Sequence, residues 1–184
     1  MALRRWLEAL PAELIRVRPV LSVNYAGTLM STGEFQGVET LLQDAERLLD
    51  TTHDMGAAPD TPQAMVVVDE DEYRRLPSVI AMYRAAQALM LGDVSGTMTH
   101  ARRALDLAAP DDHLGRGGPQ ALLGLAYWTS GDLDAAYRWY AEGTASLEKA
   151  DHLSDVVGCA VTLADIRMAQ GRLREAMSFF ERGL

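Results

Sequence analysis

The chain has 184 residues, a net charge of −9 at neutral pH, 48% hydrophobic residues and 23% charged residues. That length accommodates one domain with a sizeable core. The acidic balance excludes a phosphate-neutralising nucleic-acid surface and docking on an anionic membrane. One cysteine, Cys159, excludes an internal disulfide framework and fits a reducing cytoplasm. Set in the apolar stretch "VVGCAVTLA", it reads as a small buried hydrophobe. No signal peptide is visible, and the uncharged runs fall short of about 18 apolar residues or are interrupted by Gly, Thr and Ser.

In chain order, a leading helix is predicted at about 3–10, ended by Pro11, with a short turn near 12–17. Helical hairpins follow at about 20–31 with 35–50, 71–91 with 94–108, 118–129 with 133–149, and 153–169 with 173–183, nine helical segments in all. Between the first two hairpins, residues of about 51–70 read as an inserted loop, carrying Gly56, Pro59 and Pro62 and running into the acids Asp69 to Glu72. A second, shorter break is "APDDHLGRGGP", 109–119. "MVVVDED" is the lone β-branched run, too short and isolated to build a sheet.

A repeat runs through the hairpins. "MSTGEF", "MLGDV", "WTSGDL" and "MAQGRL" place Gly33, Gly92, Gly131 and Gly171 at spacings of 59, 39 and 40 residues. Seven positions before these glycines stand Ala26, Ala85, Gly124 and Ala164; twelve after stand Ala45, Ala104, Gly143 and Gly183. Helix axes closer than about 9 Å need small side chains where they cross. Bulk is supplied eight and nine positions after each turn, by Leu41 and Leu42, Trp139 and Tyr140, Phe179 and Phe180; the second repeat has His100 and Ala101 there. The turn glycines suit left-handed C-caps. The acids that follow, Glu34, Asp93 and Asp132, suit the N-terminus of the second helix, with Arg172 the exception.

These hairpins are similar to tetratricopeptide repeats, with a period near 40 rather than 34. The stretch 4–49, with "YRAAQALMLGD", "ARRAL", "LLGLAYWTSGDLDAAYRWY" and "MAQGRLREA" in that order, more specifically resembles the helical-repeat region of MalT-like, LuxR-family ATP-dependent transcriptional regulators of bacteria. The resemblance implies an all-α, right-handed superhelix of antiparallel hairpins forming a single domain over 1–184. It implies a sensor region, and a partner that is a protein, a peptide or a small effector. It also implies nucleotide-binding and DNA-binding modules elsewhere in the regulator. No G-x-x-x-x-G-K-[ST] and no basic recognition helix occur here, so the chain reads as a fragment of a larger regulator. A free-standing scaffold binding a peptide or protein is the alternative. An open C-terminal end carrying Phe179, Phe180 and Leu184 would expose apolar surface and favour self-association.

No cofactor, no metal and no catalysis are expected. His53, His100, His113 and His152 form no ligand pairs at helical spacing. "DDH" at 111–113 reads as a solvated turn and helix cap, "GRGG" at 115–118 lacks the strand of a dinucleotide loop, and the nucleophile-elbow pattern is missing.

In tetratricopeptide arrays the first helix of each hairpin lines the concave face. Positions −10, −6 and −3 from the turn glycine share one face of that helix. They are Val23, Gly27 and Met30; Met82, Ala86 and Leu89; Ala121, Leu125 and Trp128; Val161, Asp165 and Met168. Asn24 and Tyr83 stand one step round the helix. The candidate groove therefore comprises Asn24, Met30, Met82, Tyr83, Leu89, Leu125, Trp128, Asp165 and Met168. Flexible Met, one Trp and a single carboxylate suit an apolar peptide, a helix or a small effector. The same residues could instead pack between repeats or against another domain of the regulator.

Overall fold

A computed structural model describes residues 2–54 and 66–183, with side chains over 5–50 and 66–179. Ten α-helices lie among them, and no strand. They are α1 (Ala2–Glu8), α2 (Ala12–Arg16), α3 (Pro19–Ser31), α4 (Val38–Asp54), α5 (Glu70–Met90), α6 (Val94–Leu107), α7 (His113–Thr129), α8 (Leu133–Lys149), α9 (Leu153–Ala169) and α10 (Leu173–Gly183). The all-helical hairpin architecture expected from the repeat is thus the one observed. The chain divides into two compact units, Met1–Ile80 and Ala81–Leu184, the division falling inside α5.

The turns follow from glycine geometry. Gly33, Gly92, Gly131 and Gly171 have φ of 77°, 75°, 86° and 75°, a left-handed conformation that L side chains disfavour. At each, two N–H groups close back on the ending helix, as when Gly131 donates to the Trp128 carbonyl and Asp132 to that of Tyr127, both at 3.0 Å. The same pair of bonds recurs at all four turns. Asp93 and Asp132 then cap the next helix, their carboxylates accepting from the N–H of Gly96 at 2.8 Å and of Ala135 at 3.0 Å. Glu34 does not share this place. A second left-handed glycine, Gly37, intervenes, and α4 begins only at Val38.

Two sequence-based boundaries move. α4 runs on to Asp54, into the expected insertion of about 51–70; of the rest, 55–65 lie outside the described residues and 66–69 are non-helical, ahead of α5 at Glu70. α7 begins at His113, so much of the stretch 109–119 is helix rather than break. Asp112 caps it by accepting from Gly115 N–H at 2.9 Å. Pro119 and Gly117 are buried within the helix. The expected turn near 12–17 is the short helix α2.

In the first unit α3 packs on α4, with α1 and α2 against α3. Its core is built from Leu7, Ile15, Val23, Ala26, Leu42 and Ala45. The Ser22 hydroxyl donates to the Leu41 carbonyl at 2.9 Å, tying the two long helices together. In the second unit α6 packs on α7, α7 on α8, α8 on α9 and α9 on α10. One core cluster joins Ala85, Ala101 and Leu123, with Trp139 against it; a second joins Ala136, Tyr140, Leu147, Cys159, Leu163 and Ile166. Where α7 crosses α8 the small residues act as expected. A Cβ added at Gly143 would stand 2.8 Å from Ala121 N and Gly117 O; one at Gly124 would stand 2.8 Å from Tyr140 N.

Candidate functional site

The face proposed from helical spacing divides between the two units. In the first, α3 carries Asn24, exposed, and Met30, half-buried. Val23, at the same register, is 1% exposed and belongs to the core. In the second, Met82, Tyr83 and Leu89 on α5 are half-buried. The Met82 thioether lies over Gly118 of α7, where a Cβ would meet its sulfur at 2.6 Å. Burial raises the Tyr83 phenol above its ordinary pKa.

Leu125 and Trp128 on α7 pack against the Tyr140–Leu163–Ile166 cluster while remaining only partly covered. Trp128 is therefore both a wall of the core and a surface residue. Asp165 on α9 is half-buried; Met168, one turn on, is exposed at 43%. Val161 on the same face is 50% exposed. The second unit thus shows apolar surface on the first helices of its hairpins, with Asp165 the carboxylate at that register.

Two features were not visible in the spacing. Arg167, its side chain 11% exposed, places its guanidinium 3.2 Å from the centre of the Tyr137 ring and pairs with Glu175 at 3.1 Å. It also donates to Gln170 Oε1 at 2.8 Å, and Gln170 in turn donates to Asp134 Oδ1 at 2.8 Å. The network ties α8, α9 and α10 together. The second feature is a cavity of about 300 Å³ between α8 and α9, lined also by Phe179 of α10, which meets Tyr137 edge-on at 6.4 Å. The pattern of bulk eight positions after the turn points to Phe179, but nothing in spacing reveals the space beside it.

Burial is the first cause that raises the Tyr140 phenol; Cys159 and Asp155 add to it, and a hydrogen bond with Thr162 opposes it. Cys159 is buried beside it. Among the described residues no three His, Cys, Asp or Glu side chains gather as a metal-ion site, and no helix is long and apolar enough to cross a membrane.

Antiparallel hairpins of near-constant length, closed by left-handed glycines and crossed at small residues, define a helical-repeat protein of the tetratricopeptide type. A family model for the MalT-like TPR region matches residues 79–184, more than half of the chain, and the protein belongs to that family. The match spans the hairpins of the second unit and does not extend to residues 4–49. A comparison with curated proteins gave no match.

Proposed function

We propose that this chain is the sensor and interaction region of a LuxR-family, MalT-like transcriptional regulator, working in the cytoplasm. An effector, a peptide or a small apolar molecule, seats on the first-helix face of the second unit. Leu125, Trp128 and Met168 supply apolar contact there, and Asp165 supplies one polar anchor. Occupancy favours one arrangement of the neighbouring ATPase and DNA-binding modules over another, a shift in populations that requires different affinity for the two arrangements. The chain itself carries out no catalysis in this reading.

The observation that carries the reading is the family match over 79–184. The partial exposure of Trp128 and Met168 supports the choice of face, since half-covered Met and Trp give adaptable contact area. The test is thermal shift with tryptophan emission, on wild type, Trp128→Ala and Met168→Asp, against a metabolite panel and purified modules of the regulator. A response present in wild type and lost in both variants is expected. Met168→Asp guards against a Trp128→Ala variant that merely loosens the core. An unchanged response in both variants, or no response to either class of probe, would overturn the reading.

A further inference from the structure

In the second unit one first helix meets the next through a methionine on a glycine. Met82 of α5 stands ten positions before its turn glycine, Gly92; Gly118 of α7 stands thirteen before Gly131. A Cβ at Gly118 would meet the Met82 sulfur at 2.6 Å and its Cγ at 3.7 Å. An unbranched thioether chain thus crosses from α5 to α7 and ends over a glycine. One repeat later the same two positions are Ala121 of α7 and Gly158 of α9. The glycine is there again, but alanine is too short to cross to it. A Cβ at Gly158 would meet nothing within 4 Å, and Gly158 is exposed. Gly96 and Gly115 lie under capping carboxylates, and Gly117, Gly124 and Gly143 lie at the α7–α8 crossing. Gly158 has no neighbour of either kind, although glycine weakens a helix.

A second feature stands two turns along the same helix. Asp165, seven residues after Gly158 and so about 10 Å further along the axis, is half-buried. Its carboxylate has no ion pair or hydrogen bond among the described residues. The register that sets Met82 on Gly118 sets Trp128, three before Gly131, beside Asp165, six before Gly171. Trp128 also packs against the cluster that holds Leu163 and Ile166 of α9. A half-covered carboxylate beside an indole suits a cation.

We propose, resting on the first-helix face assigned above, that the groove between α7 and α9 takes a linear alkylammonium: an unbranched apolar chain ending in an amine. The chain lies over Gly158 as Met82 lies over Gly118, and the ammonium pairs with Asp165 beside Trp128. A chain ending in a carboxylate is rejected, because Asp165 and the net charge of −9 repel it.

The probe is n-octylamine below its micelle-forming range, titrated by calorimetry on the 184-residue chain, with n-octanol and n-octanoate beside it. Octylamine should bind one to one, octanol about tenfold more weakly and octanoate more weakly still. Asp165→Asn should erase the preference for the amine over the alcohol. Ala121→Met and Gly158→Leu should each fill the seat from within, from opposite helices. Each should unfold roughly 2–6 °C higher than wild type and bind octylamine at least tenfold more weakly. Because the two variants act from different helices, failure of one to fold leaves the other to decide. No octylamine binding, equal binding of octylamine and octanoate, or wild-type affinity in the folded filled variants overturns the proposal. The effector reading fails separately: a metabolite or module response lost in Trp128→Ala and Met168→Asp, without octylamine binding, overturns the alkylammonium assignment alone.

Discussion

Alanine at Gly143 and alanine at Gly158 should move stability in opposite directions. Both glycines are helical and lie in the same unit. In isolation each replacement favours the helix by about 1 kcal/mol, because glycine has more backbone freedom to lose. At Gly158 nothing lies within 4 Å of the new Cβ, so the full gain is expected. At Gly143 the Cβ would stand 2.8 Å from Ala121 N and Gly117 O, and 3.3 Å from Ala121 Cα. Ordinary contact needs about 3.5 Å or more. All three neighbours are backbone, so no rotamer change relieves them, and α7 and α8 must separate by roughly 0.7 Å. Overpacking of that kind costs about 3 kcal/mol, at the upper end of its usual range because the neighbours are rigid. After the helix gain, Gly143→Ala should be less stable by about 2 kcal/mol, a fall of roughly 4–8 °C, and Gly158→Ala more stable by up to about 1 kcal/mol. Thermal and urea unfolding followed by circular dichroism would measure both. A neutral or stabilising Gly143→Ala would refute the close crossing and, with it, the reason given for the small residues.

The Arg167 network should be sensitive in the same assay. Arg167→Ala should cost about 2 kcal/mol, because it removes a stacked, partly buried cation and leaves Tyr137 and Glu175 without it. Arg167→Lys should recover less than half, since an ammonium lacks the planar fork; full recovery would reduce the network to a simple charge pair. The buried phenols set an alkaline limit. Tyr140 and Tyr83 hold their protons more tightly when folded than unfolded, so their contribution is complete below the ordinary tyrosine range near 10. Stability should fall as pH rises past that value, because the unfolded chain releases protons first. Tyr140→Phe should make the fall shallower in urea titrations between pH 9 and 11; an unchanged slope would count against the burial argument.

Much of the fold could be read before any coordinates, for physical reasons that differ from element to element. The glycine turns were legible because a left-handed residue has few substitutes, and Gly33, Gly92, Gly131 and Gly171 all adopt it. The start of α7 was misplaced because Gly115 to Pro119 carries the residues of a loop. Asp112 caps a helix through them, and the missing side chain of Gly117 makes room for Leu147. The acid of the first turn, Glu34, looked equivalent to Asp93 and Asp132, but the extra left-handed Gly37 delays α4.

The candidate face was legible only as a periodicity. Val23 and Val161 share a register, yet one is 1% exposed and the other 50%. Helical spacing gives the direction of a side chain; what covers it is decided by the neighbouring element. The stacking of Arg167 on Tyr137 joins residues 30 positions apart on separate helices, and no local pattern encodes it.

Within residues 81–184 the packing described joins each helix to the next along the chain, α6 to α7, α7 to α8, α8 to α9 and α9 to α10. Such an arrangement stores its cohesion in series, like links, rather than in one central knot. Contacts that skip one helix, such as Met82 on Gly118 and Phe179 on Tyr137, splice neighbouring links, so a pull on the two ends is expected to open whole hairpins rather than single helices. Contacts so local in sequence also close quickly, since little loop must be gathered before each forms. The same feature makes one hairpin of about 40 residues the unit by which this part of the molecule is expected to gain or lose structure.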